Sequence, residues 1–200
     1  MLRSEIKNLT FDRIESLTNN FSFTVGGCRR KYAKSNALCS QQHPKELFSM
    51  MTYLKDKNIR SYMEIGLGNC TTVFILDSFF RSLSKHYLET VGLCIRDCSN
   101  CFTEYDEPTC RFVMANVVDY DFSLFANQFD FIFIDTNQER ASLEITFEKC
   151  KNARYVAFHD VSSKRYHYGA RSLFKDLETK YESQKWSHSL AGIGLLKIRG

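Results

Sequence analysis

At 200 residues with 44% hydrophobic content, the chain is sized for one domain with a real core. No apolar run reaches membrane-spanning length and the first residues lack a secretory h-region; eight cysteines scattered among apparent strands and helices, with two prolines and nine glycines, argue against a loop-rich disulfide scaffold, so free thiols in a reducing cytoplasm are expected. The net charge of +4 is uneven: residues 1–45 carry a balance of +5, densest at Arg29, Arg30, Lys31 and Lys34, which reads as a solvated basic loop or as a contact for an anionic partner.

Weak periodicity and polar clusters predict a short helix near 4–17 followed by a loop, so that residues 1–43 form an arm or lid ahead of a domain spanning 44–200. Pro44 opens a helix whose apolar face is Leu47, Met50, Met51 and Leu54. A strand at about 60–65 runs into Glu64-Ile65-Gly66-Leu67-Gly68-Asn69-Cys70, and a helix with Val73, Leu76, Phe80 and Leu83 on one side follows. A strand, a glycine turn and a helix in that order form a nucleotide-type binding corner, because glycine lets the backbone approach a ligand and the helix start offers unpaired N–H groups. Further strands are predicted at about 87–95, 111–115, 129–134 and 154–158, with a helix at about 138–150. Ala170, Leu173, Phe174, Leu177 and Tyr181 mark a helix, and two strands near 184–190 and 193–199 flank Ala191-Gly192.

Alternating strands and helices imply a parallel sheet with helices on both faces. Ligands of such sheets bind outside the C-terminal strand ends at the topological switch. That rule selects Glu64 to Cys70, Cys94, Asn116, Asp135, and His159-Asp160.

The ordered set Ser61-Tyr62-Met63-Glu64-Ile65-Gly66-Leu67-Gly68, Phe129 to Asp135, Val156-Ala157-Phe158-His159-Asp160-Val161 and Gly192-Ile193-Gly194-Leu195-Leu196 resembles the class I S-adenosylmethionine-dependent methyltransferases, over about residues 41–199. It is most similar to small O-methyltransferase-like members with a His-Asp after the fifth strand. The Gln-Gln-His-Pro-Lys-Glu-Leu entry to the first domain helix also fits. The resemblance implies a Rossmann-like, doubly wound α/β fold: a mostly parallel seven-stranded sheet ending in an antiparallel hairpin. It implies that Glu64, Gly66 and Gly68 hold the methionine end of S-adenosylmethionine, that Cys70 and Cys94 stand in the cofactor corner, and that Asn116 lies near the adenine amine. Asp135 and Asp160 fall where metal-dependent members bind a divalent cation such as Mg²⁺, and His159 falls where a base could take a hydroxyl proton. The chain departs from the family pattern in three places: Cys70 replaces the third glycine, Cys94 replaces the acid that grips the ribose, with Asp97 as a substitute, and Val161 and Gln138 replace other polar residues.

Methyl transfer needs an aligned nucleophile and a route for its proton, and a cation can lower an alcohol's pKa. Asp135 could alternatively cap the following helix, and His159 could be a buried histidine satisfied by backbone. Cys98-x-x-Cys101, with Cys94 and Cys110, has part of a zinc pattern, and Cys70 beside Cys94 would make cofactor binding oxidation-sensitive. Lys164, Arg165 and Arg171 could meet an anionic substrate; His167 and His188 have no motif support, and Trp186 reads as packing. The expected reaction is O-methylation of a small hydroxylated acceptor. One alternative is ribose methylation of RNA, drawing on the basic arm, Lys45, Asp135, Lys164 and Glu182. The other is a methyltransferase-like binding or scaffold protein that no longer turns over.

Overall fold

The computed structural model describes residues 3–19, 23–25, 38–40, 42–126, 128–136, 139–163, 169–188 and 191–199. Where one helix near 4–17 is predicted, there are two: α1 (Arg3–Ile6) and α2 (Phe11–Asn19). The break falls at Leu9-Thr10, where the Thr10 hydroxyl accepts the Arg13 N–H at 3.3 Å and starts the second helix. Ile6, Leu9, Ile14 and Leu17 are buried in the main apolar cluster. Two short strands, β1 (Phe23–Val25) and β2 (Leu38–Ser40), pair in parallel within the segment predicted as loop.

Helix α3 (Pro44–Leu54) begins at Pro44 as predicted. The main chain of the fold then runs β3 (Ser61–Ile65), α4 (Thr71–Leu83), β4 (Glu89–Cys94), α5 (Ser99–Tyr105), β5 (Cys110–Met114), α6 (Ser123–Ala126), β6 (Phe131–Ile134), α7 (Arg140–Cys150), β7 (Tyr155–His159), α8 (Gly169–Leu177), β8 (Glu182–Trp186) and β9 (Ile193–Lys197). The strands form one seven-stranded sheet in the order β5-β4-β3-β6-β7-β9-β8. The first five are parallel, and β9 runs antiparallel to both β7 and β8.

The central strands SYMEI, FIFI and YVAFH are buried throughout, as a sheet covered on both faces requires. Alternation sends Tyr62, Phe131, Phe133 and Ala157 to the face covered by α3 and α4. It sends Met63, Ile65, Ile132, Ile134 and Phe158 to the opposite face, against α7 and α8. From β3 the chain winds outward to β4 and β5, then returns to β6 on the other side. The switch between β3 and β6 therefore opens a crevice at their C-terminal ends.

Candidate functional site

The turn after β3 is built around a close approach. Gly66 has φ +87°, and a Cβ there would lie 2.1 Å from the Asp135 carbonyl oxygen. Its N–H donates to Leu93 O at 2.8 Å, while the Asp135 N–H donates to Ile65 O at 2.8 Å. One glycine thus lets the ends of β3, β4 and β6 meet. Gly68 also has positive φ, and Cys70 adopts φ 64° as the N-cap of α4. The third turn position therefore keeps the backbone that glycine favours, although it carries a side chain. The Cys70 side chain is fully buried in the main apolar cluster.

Beyond this turn lies a cavity of about 380 Å³, walled by Gly66, Cys94, Ile95, Asn116, Val118 and Thr136 among others. Three of the sequence-predicted cofactor residues, Gly66, Cys94 and Asn116, thus share one wall system. Asn116 donates to Asp119 at 2.6 Å and accepts the Val118 N–H at 3.1 Å, which shapes its loop. The Lys149 ammonium holds that loop by donating to the carbonyls of Val117, Val118 and Tyr120 at 2.8, 2.8 and 2.9 Å. Sequence reasoning missed Lys149, since a lysine in a helix's last turn carries no motif. Asp97, the candidate ribose acid, is exposed and accepts the Ser99 N–H at 2.8 Å, at the start of α5.

Glu64 is not in the cavity wall. Its carboxyl is buried and accepts the Tyr62 hydroxyl. Burial pushes it well above the usual carboxylate range against the opposing hydrogen bond from Tyr62, and nearby Asp135 adds to the rise.

Asp135, His159 and Asp160 come together at the adjacent strand ends, with one ligand-type atom of each within 4.8 Å of the others. His159 Nδ1 lies 3.0 Å from Asp135 Oδ1 and 3.7 Å from Asp160 Oδ2. The other Asp135 oxygen accepts the Gln42 side-chain N–H at 2.6 Å, and Gln42 in turn accepts the Thr72 hydroxyl. Burial opposes charge on His159, but Asp135, then Asp160 and Glu46, hold it up at about 9. Burial likewise raises Asp160, partly opposed by His159. With that raised value the ring carries its extra proton at neutral pH, and among the described residues its buried Nε2 has no hydrogen-bond partner. Asp160 sits at φ 64°, a conformation asparagine and aspartate tolerate best after glycine. Val161, where the resemblance places a third ligand, is buried in the α7–α8 core.

Gln42 and Glu46 are the cluster residues that sequence reasoning did not single out. Both are buried where α3 begins. The only available signal was their place in the Gln-Gln-His-Pro-Lys-Glu-Leu segment. The zinc pattern gathers only in part: Cys94, Cys98 and Cys101 adjoin, but Cys110 begins β5 opposite Thr90, at the other end of the sheet from Cys94. Among the described residues, the cluster of three metal-ligand types is the Asp-His-Asp group. Glu182 pairs with Lys197, whose neighbour on β7 is Tyr155, at the sheet end away from Asp160. Lys45 and Arg171 are exposed. Trp186 packs edge-on at 6.0 Å from Tyr53, and the His188 ring lies 6.4 Å from that of His43. Arg29, Arg30, Lys31, Lys34, Gln138, Lys164, Arg165 and His167 lie outside the described residues. No described helix is long and apolar enough to cross a membrane.

No known protein-family pattern matches the chain. No curated protein matches it by sequence. Its fold, however, is that of the class I S-adenosylmethionine-dependent methyltransferases. It is similar to the O-methyltransferase TomG from Streptomyces achromogenes, involved in tomaymycin synthesis and solved with S-adenosylmethionine, at 14% identity over 95% of this chain and 89% of that one, with a TM-score of 0.57. It is similar to the Podospora anserina methyltransferase PaMTH1, solved with S-adenosylhomocysteine, at 11% identity over 94% and 95% of the two chains, with a TM-score of 0.58. It is also similar to the mycinamycin-pathway methyltransferase MycE in complex with Mg, S-adenosylhomocysteine and mycinamycin VI. That likeness has 14% identity and a TM-score of 0.53, covers 74% of this chain and spans about half (48%) of MycE.

Proposed function

We propose that this chain is an S-adenosylmethionine-dependent O-methyltransferase for a small hydroxylated acceptor, assisted by a divalent cation. The observation that carries the reading is adjacency. A cavity at the ends of β3, β4 and β5 lies beside the Asp135–His159–Asp160 cluster at the ends of β6 and β7, on a methyltransferase strand order. Gly66, Cys94 and Asn116 would bind the nucleoside part of the cofactor, whose activated methyl group is the one transferred. Two carboxylates and one imidazole suit a divalent cation, and Asp135, Asp160 and His159 would hold it. Such an ion supplies charge that lowers the acceptor hydroxyl's pKa. The complexes of MycE with Mg and of TomG with S-adenosylmethionine are consistent with both groups.

The residues themselves do the positioning. Gln42 and His159 together fix both oxygens of Asp135. His159 can take a hydroxyl proton at Nε2 only as the neutral ring whose single proton stays on Nδ1 toward Asp135, a role it fills when the carboxylates alone hold the ion. Ribose methylation of RNA is less well supported, because Glu182 stands at the wrong end of the sheet.

The test is calorimetric titration of the reduced protein with S-adenosylmethionine and S-adenosylhomocysteine, with and without Mg²⁺, followed by methyl transfer to a panel of catechols and sugars. Micromolar binding and Mg²⁺-stimulated turnover are expected. No binding at millimolar ligand overturns the enzyme reading and leaves a methyltransferase-like binding domain.

A further inference from the structure

Four thiols surround the glycine corner, and the mechanism above uses none of them as a nucleophile. Cys94 ends β4, Cys98 is the N-cap of α5, Cys101 lies in the first turn of α5, and Cys70 is the N-cap of α4. Their side chains form a hydrogen-bonded chain in which Cys70 contacts Cys98 and Cys101, and Cys98 also contacts Cys94. All four are free.

The four are not equivalent. Cys70 is fully shielded, and burial pushes its thiol up, so it is inert. Cys94 is the member that opens on the cavity. The backbone N–H groups of Leu67 and Arg96 donate to its sulfur. Burial opposes ionisation there, but those two donors, the Arg96 charge and the Cys98 thiol outweigh it and hold Cys94 below its ordinary value. Its partner Cys98 is pushed up by burial and stays a thiol. The only residues between them, Ile95, Arg96 and Asp97, are exposed and outside any helix or strand, so the link can adjust without moving the core.

We propose that Cys94 and Cys98 form an oxidisable pair, a modification site for hydroperoxides in the wall of the cofactor cavity. The Cys94 thiolate attacks one peroxide oxygen and the O–O bond breaks. With hydrogen peroxide the departing hydroxide takes up a proton as water, and Cys94 becomes a sulfenic acid. The Cys98 sulfur then attacks Cys94, the S–O bond breaks, and hydroxide leaves with the Cys98 proton as a second water. Two thiols and one hydrogen peroxide give one disulfide and two waters. A dithiol reverses the bond by exchange. If the cavity holds S-adenosylmethionine, a consequence that rests on the proposed function, oxidation withdraws the Cys94 sulfur from its wall and weakens binding.

The full chain is treated with stoichiometric hydrogen peroxide, alkylated and digested with trypsin without reductant. Cleavage after Arg96 puts Cys94 on peptide 86–96 and Cys98 on peptide 97–111. The expected product joins these two through Cys98, located by fragmentation and lost on dithiothreitol treatment. Linkage through Cys101 or Cys110 instead, or a Cys94 that remains alkylatable, overturns the proposal. In Cys98→Ser, Cys94 should be trapped by dimedone as the sulfenic acid; no adduct overturns the order of attack. Because the wild-type map decides the linkage by itself, a poorly folding variant does not obscure it. S-adenosylhomocysteine titrations of the reduced and oxidised forms should differ by roughly fivefold or more, on the scale of one lost hydrogen bond. Equal affinities discard the effect on the site. A reduced protein that binds no cofactor is instead a failure of the methyltransferase reading, and the peptide map still decides the thiol chemistry.

Discussion

Substituting Gly66 by alanine tests whether the corner depends on backbone contact. Two terms add. At φ +87° a side chain is strained, about 1 kcal/mol. The new Cβ would also lie 2.1 Å from the Asp135 carbonyl oxygen, 2.6 Å from its carbon and 2.9 Å from the Thr136 Cα. These are main-chain atoms of the segment that carries Asp135, so relief requires β6 to part from β3, about 1–3 kcal/mol by analogy with overpacking. The expected loss is about 2–4 kcal/mol by urea denaturation with an unchanged m-value. Gly92→Ala is the control. A Cβ there would lie 2.5 Å from the Phe102 ring tip and 2.9 Å from a Leu67 methyl, both side-chain ends that can turn aside, and its loss should be the smaller. S-adenosylhomocysteine affinity should also fall in Gly66→Ala, because the turn and the Asp135 strand end move together. A loss below about 1 kcal/mol, or a costlier Gly92→Ala, would refute the reasoning.

In metal-free protein, NMR should show His159 titrating near pH 9, and Asp135→Asn should bring it down, because burial then acts with less opposition. Since the folded value is the raised one, the stability it contributes is complete below pH 6.5 and is lost as pH rises through 9, about 3 kcal/mol relative to His159→Gln across that window; a flat difference would contradict it. Lys149→Met should cost about 1–2 kcal/mol by leaving three loop carbonyls without their donor, and should weaken S-adenosylhomocysteine binding more than methyl-acceptor binding, measured by calorimetry. Mn²⁺ affinity should rise between pH 7 and pH 9, as the His159 proton competes with the ion, and Asp160→Asn should weaken it; pH-independent binding would place the ion elsewhere.

The sheet could be read from the sequence because its central strands are runs such as FIFI and YVAFH, where burial on both faces leaves only apolar choices. Pro44 and the glycine corner marked two helix starts through backbone chemistry alone. Short helices escaped for the complementary reason. In α5 the buried residues are Phe102 and Tyr105, too few for a helical period to emerge over seven residues. The strand-end rule located Asp135, His159 and Asp160, because a parallel sheet delivers its C-terminal ends to one edge whatever the loops do. It could not locate Gln42 or Glu46. Their arrival depends on how α3 lies across the sheet, a tertiary fact that local pattern does not encode. Nor could it assign Glu64, whose carboxyl answers to Tyr62 two residues earlier on the same face of β3.

The site carries costs that folding alone does not recover. Positive φ at Asn58 and Asp106 is inexpensive, since those residue types tolerate it, but at Cys70, which closes the turn after β3, it is of order 1 kcal/mol or more. Around His159, the carboxyl groups of Glu46, Asp135 and Asp160 are drawn together with one imidazolium to oppose them. Apolar residues at these positions would avoid both the desolvation and the mutual repulsion. On the proposed reading the excess negative charge is what a divalent cation offsets. On that reading, too, the left-handed Cys70 preserves the turn on which the nucleoside would sit. A scaffold without turnover would need neither, so these two departures from the cheapest packing support an active site more strongly than the fold does.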